Sequence, residues 1–598
     1  MPHCTDHAAP GRCRSLAFVL FFAPLVSLVA GCGETSQSAS ADRVAAGPLL
    51  VAAAEGEARA EGGTVSHSSY GDYLAGLIAG NQSDVTAAAD FLLQVHKSDP
   101  NNYEVLRNTF SLVAADGRHT EAVRLGHRIV EIDPNLTTAN VVLAIDAVVR
   151  DDKQAGMATL ARLPKTGLNT MVVPLLASWI ALDKDGIDGA LAALAPLQDT
   201  AGLATLYHMQ AALLNDVNGR AAEAEAAYNA ALESAAQPSL RLAWLAGNFF
   251  ERSGKPEAAK RAYQGYLQGT PDSILFQKAF ARIAAGTVPA ATIGDYKHGL
   301  AEALFNLASL LSQERAELLA LINIHQALRI DPRFEVANLL LGEILQSQQR
   351  GDQAIAAYRT IDPASPFAWS ARLRITDELE RMGRSEEAIA ELEALAQERA
   401  DHYEPLFRIG NILRVQERFE EAVVAYDRGF ERVGATEVNH WTLYYFRGIA
   451  LERSGEWTRA EADFLKALEL MPEQPYVMNY LAYSWVEQKQ NLAEAQRMLV
   501  RAVELRPSDG FIVDSLGWVY YRLQKYEEAA IQLERAVELR PQDPVINDHL
   551  GDAYWRVGRK QEARFQWRRA LSLEPEPDEV PKIEAKIKHG LLTEPENI

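Results

Sequence analysis

The residues of this 598-residue chain that could do chemistry are 13 histidines, three cysteines and 80 aspartates and glutamates. Their spacing builds no catalytic or metal-binding set. His298 and His325 stand far apart, as do His402 and His440, and the sequence holds no HExxH and no tight Asp/Glu/His cluster. No GxxxxGK[ST] or GxGxxG stretch offers a phosphate cradle, and GIDGALAAL at 186–194 is helix sequence with a glycine near its start. A nucleophilic serine would need a strand–turn–helix elbow in a chain with few strand patterns. His549, in NDHLGDAY beside the packing residue Leu550, reads as a partly buried structural histidine rather than a proton-transfer group. The sequence therefore predicts no enzyme, no metal and no cofactor.

Covalent chemistry is expected at one thiol, Cys32. In LVSLVAGCGETSQSAS, residues 25–40, it closes an apolar run that begins at Leu16 and follows Arg12 and Arg14. The run is about 14 residues long, short of the ~20 that a membrane-spanning helix needs. Val29-Ala30-Gly31-Cys32 resembles the bacterial lipobox, in which a peptidase cuts before a cysteine that already carries lipid. The resemblance implies a signal peptide over 1–31 and a membrane anchor on Cys32, since stable anchoring takes more than one acyl chain. Gly33, rather than Asp, in the next position resembles the enterobacterial pattern for outer-membrane sorting. Cys4 and Cys13 fall in the part removed, which leaves no disulfide in the mature chain. Apart from Leu49, Leu50 and Val51, residues 33–66 hold little that could offset the entropy of ordering them, so 32–66 reads as a lipidated cysteine and flexible tether.

Charge narrows the partners. With 59 basic and 80 acidic residues the formal charge is -21, and no basic stripe follows any helix pattern, so nucleic acid is not an expected partner.

The elements that must position any site come from a repeat. Leu516-Gly517 recurs as Leu550-Gly551, Ala529 as Ala563, Ala536 as Ala570 and Pro541 as Pro575, each 34 residues on. Small residues sit where two antiparallel helices approach, and larger ones such as Leu516, Tyr520 and Leu533 fill the space around them. The pattern resembles the tetratricopeptide repeat. It continues upstream through Leu481, Ala495 and Pro507; Gly448, Ala460 and Phe464; Gly410, Ala422 and Tyr426; Gly342, Ala354 and Tyr358; Ala308 and Ala320; Gly247, Ala259, Tyr263 and Pro271; and Gly76, Ala88 and Pro100. Between Val141 and Asp199 the register blurs into degenerate units. The expected fold is all-α: a right-handed superhelical solenoid of about 12–14 helical hairpins, each burying its apolar face on its neighbours and together forming an extended concave surface. The expected organisation is an N-terminal block over 67–282, a loop or junction over 283–299, a C-terminal block over 300–578, and a capping helix and tail over 579–598. The cap is expected near 580–589 with a charged outer face.

In the tetratricopeptide pattern the first helix of each hairpin lines the groove with its second, fifth, ninth and twelfth residues. In the last three units these are Tyr476, Asn479, Tyr483 and Val486; Phe511, Asp514, Trp518 and Tyr521; and Val545, Asp548, Asp552 and Trp555. The spacing also puts each set on one helical face. Aromatic rings are enriched at binding hot spots, so these positions are the candidate protein-binding groove; the competing reading is that the rings pack against the next hairpin. Carboxylate-clamp members of the family use Lys, Asn and Arg at the lining positions, and only Asn479 matches, so an apolar or partly basic partner is expected.

The lipobox, the small-residue tether, AEALFNLASLL at 301–311 and the segments LAYSW, DSLGWVYYR and HLGDAYWRVGRKQEAR together resemble the long tetratricopeptide outer-membrane lipoproteins of Proteobacteria, and within them the LbcA-type protease adaptors. That resemblance implies a periplasm-facing scaffold whose protein partners are a carboxyl-terminal processing protease and the peptidoglycan hydrolases it degrades. An envelope assembly scaffold without a protease, for cell-wall synthesis, polysaccharide export or outer-membrane biogenesis, stays open beside it.

Overall fold

The computed structural model describes residues 68–270 and 273–591. Cys32, the signal read over 1–31, the tether over 32–66, Pro271 and the tail after 591 lie outside the described residues.

The described residues form α-helices in antiparallel pairs, with no strand among them. The first hairpins are α1 (Ser69–Asn81) with α2 (Val85–Ser98), α3 (Tyr103–Ala115) with α4 (His119–Ile132), and α5 (Thr137–Val149) with α6 (Lys153–Ala161). Next comes α7 (Asn169–Leu194), which Gly186 breaks at φ 68° into two arms. Then follow α8 (Ala204–Val217) with α9 (Ala221–Ser234), α10 (Leu240–Arg252) with α11 (Pro256–Leu267), the single helix α12 (Gln277–Ala285), and α13 (Tyr296–Gln313) with α14 (Glu317–Ile330). The later hairpins are α15 (Glu335–Ser347) with α16 (Gly351–Arg359), α17 (Ala368–Arg381) with α18 (Ser385–Glu398), α19 (Glu404–Val415) with α20 (Phe419–Phe430), and α21 (Trp441–Arg453) with α22 (Trp457–Leu470). The last are α23 (Pro475–Glu487) with α24 (Leu492–Leu505), α25 (Gly510–Arg522) with α26 (Tyr526–Leu539), and α27 (Pro544–Arg556) with α28 (Lys560–Ser572), closed by α29 (Val580–His589). The stretch read from sequence as a junction holds the end of α12, a loop and the first turn of α13.

One pairing recurs in six of the hairpins. A glycine on the first helix lies under a large side chain 16 residues later on the second: Gly247 under Tyr263, Gly342 under Tyr358, Gly410 under Tyr426, Gly448 under Phe464, Gly517 under Leu533 and Gly551 under Trp567. A Cβ on Gly517 would stand 2.6 Å from Leu533 Cγ, so no side chain fits there without moving the pair apart. Tyr263, Tyr358, Tyr426, Phe464 and Trp567 are all fully buried. Each such ring removes about 150–250 Å² of largely apolar surface from water, the dominant stabilising term at these contacts.

The concave side of the first hairpins is filled. Helix α14 packs on α3 and α5, and α13 packs on α7. Both are buried nearly all round: Leu300, Ala301, Ala303, Leu304, Leu307 and Ala308 on α13, and Ala320, Leu321, Ile322, Ile324 and Ala327 on α14, are 1% exposed or less. A helix apolar around its whole circumference has to be enclosed. Trp179 of α7 lies over Gly299, where a Cβ would overlap its ring, and its Nε1–H donates to Gln210 Oε1 at 2.7 Å. Polar contacts close the seam. Arg329 pairs with Asp146, and Arg350 Nη2 reaches Asp116 at 3.1 Å and Thr86 Oγ1 at 2.9 Å. Gly117, at φ 74°, lies beneath the His325 ring with room for no side chain. The expected continuous concave surface is therefore open only along the later hairpins, because α13–α14 carries apolar residues where other hairpins carry charge.

Candidate protein-binding groove

The repeat register expects the first helices of the later hairpins, α15, α17, α19, α21, α23, α25 and α27, to line the concave face. Caps on several of these helices fix where each begins: Asp509 accepts from Phe511 N at α25, and Asp543 from Val545 N and Ile546 N at α27. With the starts fixed, the 3.6-residue period sends the second, fifth, ninth and twelfth residues to the same side.

Neighbouring first helices are tied by a contact between residues 31 apart, and its chemistry changes along the solenoid. Glu343 of α15 meets Arg374 of α17 at 2.7 Å, and Asp377 of α17 meets Arg408 of α19. At the same offset in the last hairpins, Trp518 of α25 stacks on His549 of α27, with ring centres 4.0 Å apart and planes 15° apart. The middle of the groove is thus rich in ion pairs and its C-terminal end in rings. Burial raises the Asp377 carboxyl above the usual range in spite of Arg408, and does the same to Glu380 and Glu452.

None of the ten residues assigned to the groove from sequence is fully exposed. Asn479 (7%), Asp514 (5%) and Asp552 (5%) are buried, while Tyr476, Tyr483, Phe511, Trp518, Tyr521, Asp548 and Trp555 are half-buried. The structure brings Trp518 and Tyr521 together as a parallel stack at 4.8 Å, and Trp518 Nε1–H donates to Glu487 Oε1 at 2.7 Å. Phe511 carries the Arg540 guanidinium at 4.1 Å over its ring, and Tyr476 carries Arg506 at 5.6 Å. Asn479 Oδ1 is buried with no hydrogen-bond donor among the described residues.

Asp548, Asp552 and Trp555 are claimed by the cap. Lys586 of α29 donates to Asp548 Oδ2 at 2.6 Å and Asp552 Oδ2 at 2.9 Å, and Trp567 Nε1–H donates to Asp552 Oδ1 at 2.9 Å. Trp555 lies against Trp567 and over Gly590. Burial, with Asp548 close by, raises the Asp552 pKa to about 6; burial works against the Lys586 ammonium, yet the two carboxylates hold its pKa above the usual lysine value.

His549, expected as a partly buried structural histidine, is buried at 8% exposure; the sequence did not announce its partners. Its Nδ1 lies 3.0 Å from Asp514 Oδ1; burial acts to lower its pKa, but Asp514 together with Asp548 and Asp552 makes the net shift upward. The 31-residue spacing from Trp518 was the available signal. The ion-paired lining at Glu343, Arg374, Asp377 and Arg408 was also missed, and its signal is the same spacing.

The arrangement offers a row of half-buried rings of the kind enriched at protein interfaces, while the neighbouring carboxylates Asp514, Asp548 and Asp552 are already engaged by His549 and Lys586. Among the described residues no group of three or more His, Cys, Asp or Glu could hold a metal, and no helix is long and apolar enough to cross a membrane.

Comparison with known proteins identifies the repeat. Tetratricopeptide-repeat family models match residues 373–432 and 441–474, and a TPR-repeat model matches 517–558. TPR repeat-containing protein PA4667 of Pseudomonas aeruginosa is 28% identical over 196 residues, which is 33% of this chain and 32% of that protein. The match thus spans about a third of the relative's length. Among solved structures, the anaphase-promoting complex hetero-tetramer Cut9–Hcn1 is 14% identical with a TM-score of 0.36, covering 87% of this chain and 96% of that one. Yeast Tom70 is 12% identical with a TM-score of 0.27 over 87% and 95%. YrrB, described as a TPR protein with an unusual peptide-binding site, is 21% identical with a TM-score of 0.26 over 32% and 97%. The described residues form an all-α solenoid of helical hairpins, and its second half carries tetratricopeptide repeats at the three matched stretches.

Proposed function

We propose that this chain is a non-enzymatic, lipid-anchored scaffold that faces the periplasm from the outer membrane and holds protein partners in its C-terminal groove. Its nearest role is that of an LbcA-type adaptor, recruiting a carboxyl-terminal processing protease and the cell-wall hydrolases that protease degrades. The observation that supports the binding role is the Trp518–Tyr521 stack: two large rings, half-buried and parallel, on the face of α25 that the repeat register expects to line the groove. Such rings give contact area at low entropy cost and dominate protein interfaces. A scaffold that holds enzyme and substrate together raises their local concentration without chemistry of its own. The lipobox at Cys32 and the sequence segments shared with that lipoprotein group support the location and the partner.

The test is affinity capture from an envelope extract with the chain and with its Trp518→Ala/Tyr521→Ala variant, read by mass spectrometry beside circular dichroism. Enrichment of a carboxyl-terminal processing protease that the variant loses supports the adaptor. Recovery of cell-wall or export machinery in its place moves the function to envelope assembly. Equal loss of helix and of binding makes the rings core. Separately, Cys32→Ser should abolish detergent-phase partition, and unchanged partition would overturn the anchor.

A further inference from the structure

One second helix stops short. Counted from the alanine that is the fourth residue of each, α16 begins in the same register as α18, α20, α22, α24 and α26: Ala354 answers to Ala388, Ala422, Ala460, Ala495 and Ala529. Those helices run 12–14 residues, and α16 runs 9. The cause is Pro363. It has no N–H to give, and its ring would collide with the Arg359 carbonyl four residues earlier, so α16 ends at Arg359 and the chain crosses to α17 through the irregular stretch 360–367. The final turn that the other second helices complete is missing here.

The space it leaves is a cavity of about 520 Å³ between α16 and α18, with α17 as its floor. Ala368, Ala371, Ile375 and Leu379, all 8% exposed or less, form that floor at i, i+3, i+7 and i+11, a single face of α17. From the first to the last of them it runs about 16 Å, a straight apolar strip. Four charged side chains line the same cavity, and three of them are answered. Glu387 accepts two hydrogen bonds from Arg384 at 2.7 Å, and Arg372 pairs with Glu391 and, at 2.6 Å, with Glu398. Arg359, exposed at the end of α16, makes no ion pair or side-chain hydrogen bond among the described residues. The cavity therefore combines an apolar floor with one uncompensated positive charge.

We infer that this cavity binds a linear aliphatic carboxylate, its tail along α17 and its headgroup on the Arg359 guanidinium. The volume falls within the range of small-molecule sites, which are mostly apolar with a few polar groups that fix orientation. A straight strip along one helix face suits a linear chain better than a compact ring, and burying the tail removes apolar surface from water on both partners. The planar guanidinium can meet a carboxylate with two N–H donors at once. A cationic amphiphile would meet the same charge as repulsion. The chain as a whole carries a formal charge of -21, so it offers anions no general attraction, and binding of one reports a local cation. The inference depends on neither the groove nor the anchor, because α16, α17 and α18 form the cavity whatever α25 holds.

Calorimetric titration of the full chain tests it, with Cys32→Ser so that lipid on that thiol cannot compete. Laurate is the probe, kept below the concentration at which it forms micelles, and dodecyltrimethylammonium, with the same tail length and the opposite charge, is its control. One laurate should bind per chain, at least about tenfold more tightly than the cation, as a charge-assisted hydrogen bond predicts. Arg359→Gln should weaken laurate by at least about tenfold and erase its advantage over the cation. Ala390→Trp, on the exposed wall that α18 supplies, should fill the cavity and weaken laurate as well. Both positions are exposed, so the circular dichroism signal should not change. Absence of saturable laurate binding would overturn the inference. So would equal binding of the two amphiphiles, or unchanged laurate affinity in either variant, each of which would mean adsorption without a site here.

Discussion

Two concave surfaces made by one kind of repeat have opposite fates in this molecule. Along α3, α5 and α7 the groove is occupied by α13–α14, while along α15 to α27 it stays open. The difference lies in a few side chains. Second helices that face solvent begin with an arginine reaching an acid 32 residues earlier: Arg384 to Asp352 at 3.0 Å, Arg418 to Glu386 at 2.7 Å and Arg220 to Asp188 at 3.0 Å. Arg350 begins α16 in the same way, but the residue 32 positions before it is Leu318 on α14, and Arg350 turns to Asp116 of the second hairpin instead. Replacing one acid by leucine removes an outer rung and leaves a face that another part of the chain covers. A repeat becomes a binding surface or a buried strut according to whether its faces are charged or apolar.

The comparison can be broken hardest at Trp179. Trp179→Ala should destabilise the filled half by about 3–5 kcal/mol through the cavity it leaves over Gly299. Urea unfolding followed by amide exchange should show α7 and α13 opening first, while α25–α28 keep their protection. Loss of protection everywhere at once would mean that the halves are one cooperative unit. On the open side, Trp518→Ala/Tyr521→Ala should weaken partner binding by about 2–4 kcal/mol with the helical signal largely kept. Arg350→Ala leaves Asp116 with Arg118 and the Thr86 hydroxyl and should cost about 1–3 kcal/mol, a charged hydrogen bond's worth, seen as a lower urea midpoint for the filled half. Arg418→Ala, the same position on the open side, should cost under about 1 kcal/mol because that pair is exposed to solvent.

The smallest effect expected is with pH. The folded His549 pKa lies above its unfolded value, so the stability it contributes is complete below about pH 6.5 and is lost as pH rises through the folded pKa. Asp552 acts in the same direction, since a carboxyl raised to about 6 on folding favours the protonated, low-pH side. Amide exchange in α25 and α27 should therefore be slower at pH 6 than at pH 8 after correction for intrinsic rates, and His549→Phe should flatten most of that difference.

Much of this architecture is legible in the sequence because it is local. The 34-residue period places the clear hairpins, and the register names the positions expected to line the groove. Helix α14 shows where local reading stops. ELLALINIHQALRI looks like an ordinary second helix, and nothing near it names Asp116 or Asp146, some two hundred residues earlier, as partners of Arg350 and Arg329. The site was legible to the same depth. Tyr476, Phe511, Trp518 and Tyr521 could be assigned to the first-helix face expected to line the groove, but Trp555 could not be told from them until α29 put Gly590 beneath it. His549 could be read as buried, but not as the ring on which Trp518 rests.

The latch between Arg350 and Asp116 also has a mechanical meaning. Repeat solenoids stretch and recoil because each hairpin touches only its neighbours. A contact that joins residues 234 apart in sequence short-circuits that compliance, so the N-terminal half behaves as a stiff handle and the C-terminal half as a spring attached to it. Force or a bulky guest acting on the molecule should widen the spring and leave the handle unbent.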